Sequence, residues 1–167
     1  MQAKMSCAAL VAAAVLLFSV LAVQAGAGSV GESSTRALVK TAYNAKLRKT
    51  IIVDGLGRTL YMFTSDLNGK DTICTPTGPY GAECPHIWPP LTSGASPRAG
   101  KGVPASLLGV YRRKDGKRQV TYNHHPLYYF HGDASTPPGD KKPGDAHGQG
   151  FVHEWYVLSP KGTPIRK

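Results

Sequence analysis

Cysteine is scarce in this chain: three in 167 residues, and Cys7 lies at the start of the apolar run that opens the sequence. Only Cys74 and Cys84 lie downstream. The "TPTGPYGAE" between them carries two prolines and two glycines, which suits neither a C-x-x-C redox site nor a zinc knuckle. The pair reads as a disulfide, closing a loop of about ten residues worth roughly 3 kcal/mol. Acidic side chains are also few, 10 against 20 lysines and arginines, so the chain carries a net charge of +10. Motifs of the common enzyme classes are missing too: there is no Gly-x-Ser-x-Gly elbow, phosphate loop, His-Glu-x-x-His or dinucleotide fingerprint. With both cysteines in a disulfide no thiol nucleophile remains. His153 and Glu154 are neighbours, but adjacent strand residues face opposite ways. Asp66, Asp133 and Glu154 are acids that nothing in the sequence brings together. No catalytic residue is assigned and catalysis is not expected.

What is present begins with an export signal. One basic residue, Lys4, precedes an apolar run from about Met5 to Val23, and Val23-Gln24-Ala25 fits a small-x-small cleavage site, with Ala27 as the alternative end. Residues 1–25 are therefore expected to be a cleaved signal peptide, leaving no transmembrane helix and a chain of about 140 residues, enough for one core. For an exported protein the natural polyanionic partners are phosphorylated polymers, anionic headgroups and acidic glycans of the envelope, and no nucleic acid is expected.

Residues 26–35 are mostly Gly, Ser, Thr and Glu, and "RALVKTAYNAKLRK" (36–49) is open between a short helix and an edge strand. Helical periodicity is absent from Thr50 onward. "TIIVDGLGRTLYMFTSD" reads as a hairpin turning at Asp54–Gly57. The stretch from Leu67 to Gly102 is too rich in Gly and Pro for a regular element, and is expected to fold back on the sheet with Trp88 in the core. A second β region follows: Leu107–Arg113 and Arg118–Tyr122 around Asp115-Gly116, a turn at Asn123–Pro126, a Gly/Pro loop at Ala134–Gly150, and a last strand over Phe151–Ser159. The fold class is all-β, with six to eight short strands forming a small sandwich or closed barrel. Its divisions are 26–49, a repeat domain at 50–162, and a tail at 163–167.

One stretch occurs twice. "LYMFTSD" (Leu60–Asp66) and "LYYFHGD" (Leu127–Asp133) align Tyr61 with Tyr128, Phe63 with Phe130 and Asp66 with Asp133, and further back Val53 with Val120. Each copy reads as a strand, a turn and a second strand ending in Asp, whose carboxylate suits the backbone amides of the next turn. Alternation puts Tyr61 and Phe63 on one face and Leu60 and Met62 on the other, so both faces are apolar and the strand is expected to be covered on both sides. Two related hairpins would then share one core.

The Tyr-x-Phe-x-x-Asp pattern, the cysteine pair leading into "WPPL", and then "QVTYNHHPLYYFHGD" and "GQGFVHEWYVL" resemble the secreted-repeat family of predicted bacterial lipoproteins. Its mark is a Tyr-x-aromatic-x-x-Asp motif and its function is not established. The resemblance spans about Thr50 to Gly162. It implies a β-rich repeat in the periplasm or at the cell surface of a bacterium. Three departures stand out. No cysteine stands at the end of the apolar run, where a lipidated one would, so a lipid anchor is not expected. The spacing between the cysteines is longer, and Asn123-His124 stands where the family reads Asn-Gly.

Two binding chemistries compete. Arg112, Arg113, Lys114, Lys117 and Arg118 surround one hairpin tip and form a positive lobe for polyanions. All six histidines lie after residue 85, and neutral imidazole suits copper, zinc or iron. His125 and His131 would be about 20 Å apart on an extended strand, whereas His131 and Asp133 are same-face neighbours at about 7 Å. A transition-metal site would combine His131 and Asp133 with His147 or His153. The leading expectation is a non-catalytic binding or structural module for envelope polyanions or another envelope protein. The alternative is a metal-binding or redox-associated protein.

Overall fold

The computed structural model describes residues 35–66 and 71–166. The expected signal peptide with Cys7, and residues 26–34, lie outside the described residues. In chain order the strands are β1 (Leu38–Asn44), β2 (Lys49–Asp54), β3 (Tyr61–Phe63), β4 (Arg98–Ala99), β5 (Leu108–Arg112), β6 (Arg118–Tyr122), β7 (His125–Pro126) and β8 (Trp155–Val157), with a single helical turn, α1, at Glu83–Ile87. The fold is all-β and sandwich-like. Three small sheets, ordered β2-β1-β4, β3-β8 and β5-β6-β7, make it up, and none closes into a barrel. No helix among the described residues is long and apolar enough to cross a membrane.

The segment left open between helix and strand is β1. It pairs antiparallel with β2, from Val39 opposite Asp54 to Asn44 opposite Lys49, and carries β4 on its other edge. Val39 anchors it, fully buried. The expected hairpin after β2 forms only its first rungs. Asp54 N donates to Arg58 O and Leu60 N to Ile52 O, after which β3 leaves to pair with β8, Tyr61 opposite Val157 and Phe63 opposite Trp155. Both faces of β3 are buried, so it needs cover on two sides, and β2 alone cannot supply it.

Two further expectations are corrected. The Gly/Pro-rich stretch after Asp66 does contain a regular turn, α1, which the Cys74–Cys84 disulfide ties down (Cα–Cα 5.3 Å). The last strand does not begin at Phe151. Phe151–His153 is a 3-10 turn in which Val152 and His153 take positive φ, 45° and 59°, and the strand starts at Trp155. The Asn123-His124 turn between β6 and β7 is a two-residue connection with both φ values positive, the geometry for which Asn-Gly is preferred.

Alternation along the repeated strands builds two core layers. Leu60, Met62 and Leu127 meet Ile52, Val120, Tyr156 and Leu158 on one side. Tyr61, Phe63, Tyr128 and Phe130 meet Ile51, Val53, Trp88, Trp155 and Val157 on the other. Leu60 N bonds Ile52 O where Leu127 N bonds Val120 O, so Ile52, not Val53, is the structural counterpart of Val120. The first turn is one residue longer, and that slip restores matching faces.

The repeats are related by an approximate two-fold. Tyr61 and Tyr128 exchange backbone hydrogen bonds, each N–H to the other's carbonyl at 2.9 Å. Tyr61 pairs with Val157 as Tyr128 bridges Pro90, and Thr64 N reaches Glu154 O as His131 N reaches Ile87 O. These partners share one spacing, 67 residues (128 minus 61, 157 minus 90, 154 minus 87). Each repeat is therefore larger than a hairpin: β1-β2-β3 with the segment at Trp88–Leu91 corresponds to β5-β6-β7 and the strand after it with β8.

Candidate functional site

The two-fold stacks aromatic rings. Trp88 and Trp155, also 67 residues apart (155 minus 88), lie face to face at 3.9 Å with 3° between planes. Phe63 covers the outer face of Trp155 at 4.2 Å, and Phe130 that of Trp88 at 4.4 Å. The result is a four-ring column built from equivalent residues of both repeats. Tyr61 and Tyr128 meet it edge-on. Gly148 lets the loop close on it, because a Cβ there would stand 2.6 Å from the Trp88 ring.

The tyrosine hydroxyls are exchanged between repeats. Tyr128 donates to Asp66 at 2.6 Å, and Tyr61 donates to Asp140 at 2.6 Å. Each carboxylate also accepts an amide seven residues on, Asp66 from Ile73 and Asp140 from His147. Asp66 is the more enclosed. Burial lifts it to about 6 against the hydrogen bonds from Tyr128, Ile73 and Thr72. Asp140 is raised as well, again chiefly by burial. Burial and the facing carboxylates push both phenols above the ordinary tyrosine range. Asp133, aligned with Asp66 in sequence, is elsewhere: it closes a local turn by accepting from Ser135 N and Oγ at 2.8 Å. Asp140 takes the position that the heptapeptide assigned to Asp133.

A cleft of about 320 Å³ opens beside the column. Phe63, Trp88 and Trp155 of the column line it. One wall is α1 with Glu83, Cys84 and Ile87, and the other is Phe151, Val152 and Glu154, with Tyr80 at the mouth. Tyr80 and Val152 are 47% and 59% exposed, two of the few large apolar side chains facing solvent. Sequence reading passed over Tyr80, Phe151 and Val152. The recurrence of Trp-x-x-Leu at 88–91 and 155–158, at the spacing of the heptapeptides, was the signal that could have led to them.

The basic hairpin tip is divided. Arg112, Lys114 and Lys117 are exposed and Arg118 is half-buried. Arg113 points inward, 2% exposed, and donates to Gln119 Oε1 at 2.7 Å, Cys74 O at 3.1 Å and Asp115 Oδ2 at 3.3 Å. It ties the hairpin to the disulfide loop and leaves the lobe with fewer outward cations than the sequence suggested. Lys114 reaches Asp71 at 3.3 Å.

The histidines do not assemble. His131 is exposed beside Lys141, Arg58 and His86, held below the ordinary imidazole value by partial burial and those charges. His147 Nδ1 lies 3.5 Å from Asp140 Oδ1, and His153 sits on the strained turn, its carbonyl accepting from Tyr156 OH. Among the described residues no three His, Cys, Asp or Glu side chains converge in an arrangement able to hold a metal ion.

No curated protein and no solved structure matches the chain. One family model does, over residues 109–159, which run from β5 through β8 and so cover the second repeat. That part of the chain is similar to a family described as a secreted repeat of unknown function.

Proposed function

We propose that this chain is an exported, non-catalytic repeat module that holds polyanionic polymers of the cell envelope on its cationic surface. The observation that carries the reading is the partition of charge. Asp54, Asp66 and Asp145 are almost fully buried, and Asp140 nearly so, each used as an internal hydrogen-bond acceptor. Among the described residues the cations, Arg113 apart, remain at or near the surface. With these four carboxylates turned inward, the molecule presents more positive charge to a partner than a +10 chain with evenly exposed acids would. Two groups concentrate it: Arg112, Lys114 and Lys117 at the β5–β6 tip, and Lys46, Lys141 and Lys142 around Asp145. A secreted family description for the second repeat and a disulfide support an extracytoplasmic setting.

The test is retention on immobilised polyphosphate under a salt gradient. The Arg112→Ala/Lys114→Ala/Lys117→Ala variant should elute at clearly lower salt than wild type, and lower than Arg98→Ala/Lys101→Ala/Lys161→Ala, which removes equal charge. No retention of wild type at physiological salt would end the proposal. Equal losses in the two variants would end the assignment to the hairpin tip.

A further inference from the structure

β5 is an open sheet edge, and the other repeat shows what such an edge accepts. Arg113 N donates to Lys117 O and Asn123 N to Leu107 O, so the odd-numbered residues of this ladder turn their backbone groups toward β6. Leu108, Val110 and Arg112 therefore point N–H and C=O away from it. Among the described residues no strand, bridge or backbone bond meets that side.

The equivalent edge of the first repeat is filled. Ile52 and Val120 are counterparts, and they pair with Thr41 and Val110. β1 thus corresponds to β5, with Val39 and Thr41 in the places of Leu108 and Val110. On β1 these outward groups are taken by the chain around β4. Gly100 N donates to Val39 O at 2.7 Å, and Thr41 N to Lys101 O at 2.9 Å. Ile165 stands 67 residues after Arg98 (165 minus 98), but it donates to Val157 O and stays beside β8. The second repeat keeps an edge with room for one extended strand.

A second copy of the same edge fits it. Antiparallel pairing about Val110 sets Val110 opposite its own copy and each Leu108 opposite the other copy's Arg112. The outward groups of all three residues are then satisfied on both copies at once. Exposed edges are commonly blunted by shortness, proline or charge. β5 has five residues and no proline, and its one exposed charge, Arg112, falls opposite a leucine. Leu108, Val110 and Tyr111 are half-buried, so apolar area is left to cover. The basic tips lie at opposite ends of the pair. At ~3.4 Å per residue the two Lys114 side chains are about 27 Å apart, well beyond the ~8 Å screening length at physiological salt.

We infer that β5 is a self-association edge: two copies of this chain join through antiparallel β5 strands, merging two three-stranded sheets across a two-fold at Val110. The inference does not depend on the polyanion reading. The experiment is sedimentation equilibrium of the full exported chain at physiological salt. A reversible monomer–dimer equilibrium with a Kd below about 100 µM is the expected result. Val110→Pro removes an outward N–H and no bond to β6, so it should melt near wild type yet sediment as a monomer. Val110→Lys and Val110→Glu each place like charges on the axis and should weaken the dimer about tenfold. An equimolar mixture of these two should restore it as a heterodimer, and this pair serves if the proline variant does not fold. A wild type still monomeric at about 500 µM would overturn the assignment. So would a dimer undiminished in folded Val110→Pro, or a mixture no tighter than its components.

Discussion

The backbone amides of Tyr61 and Tyr128 donate to each other's carbonyl oxygens at 2.9 Å, so the two copies of the repeated heptapeptide meet at the same residue. Their hydroxyls then cross over, each ending on an aspartate that follows the other repeat's strand. A backbone pair joins the copies at the axis, and two buried phenol–carboxylate bonds lock them on either side. Each aspartate takes its phenol donor from the other repeat, which makes the copies mutually dependent. Tyr61→Phe and Tyr128→Phe should each cost roughly 1–3 kcal/mol, because a buried acceptor loses its donor while the ring's packing is kept. The larger loss is expected for Tyr128→Phe, since Asp66 is the more buried carboxylate and Thr72 Oγ1 also contacts that hydroxyl. Urea unfolding of the two variants checks the order; a loss within error of zero in both would refute the crossed arrangement.

The same arrangement separates Asp140 from Asp133. Asp140→Ala removes the acceptor of Tyr61 OH and of His147 N, and should lower stability by roughly 1–3 kcal/mol. Asp133→Ala removes only a surface turn contact with Ser135, and its melting temperature should match wild type. A melt in which the two variants behave alike would show that alignment, not hydrogen bonding, identifies the repeat's aspartate.

Much of this was legible from the residues. Alternation in "LYMFTSD" and "LYYFHGD" is local, and it fixed both the strand and its two buried faces. The disulfide followed from an even pair in an exported chain. What period two could not show was partner choice. β3 pairs with β8, some ninety residues on, because its two faces need cover, and no local pattern encodes that. Asp140 was missed for the same reason, since seven extra residues in the second copy carry the functional aspartate away from the motif. Arg113 is an i, i+1 neighbour of exposed Arg112 and Lys114, so composition grouped them, whereas strand alternation turns it inward. After Gly150 an aromatic-rich stretch implied a strand from Phe151, which left-handed Val152 forbids.

Asp66 gives the fold a pH dependence whose sign is set by burial. Its folded value of about 6 lies above the ordinary 3.8, so the folded state binds its proton more readily. The stability this contributes is fully present below about pH 4 and is lost as pH rises through 6. Asp140 acts in the same direction. His125 and His131, lowered chiefly by burial, act oppositely, since their contribution is lost as pH falls through the reduced imidazole value. Comparison with Asp66→Asn isolates the carboxyl. Between pH 4 and 7.5 the Asn variant should gain on wild type by on the order of 2–3 kcal/mol. A gap that stays constant across that range would mean Asp66 titrates near its ordinary value.

Neighbouring arginines on the β5–β6 tip should separate folding from binding. Arg113→Ala strips Gln119 Oε1 and Cys74 O of their donor, and should destabilise by on the order of 2–4 kcal/mol. Lysine should not rescue it, because one ammonium cannot span acceptors that the guanidinium fork reaches together. Arg112→Ala should leave the melting temperature unchanged and lower the salt needed for elution from polyphosphate. If Arg113→Ala melts like wild type, its inward position is not what fastens the hairpin to the disulfide loop.

Val152 occupies a strained position on the surface. At φ 45° a β-branched side chain is strained, and being 59% exposed it gains little burial in return. Asparagine tolerates this conformation without the added unfolded-state freedom of glycine, so Val152→Asn should raise stability by roughly 1 kcal/mol and Val152→Gly by less. Thermal melts of the wild type and the two variants check this order. If Val152→Asn lowers the melting temperature, the turn is unstrained and the valine is there for packing alone.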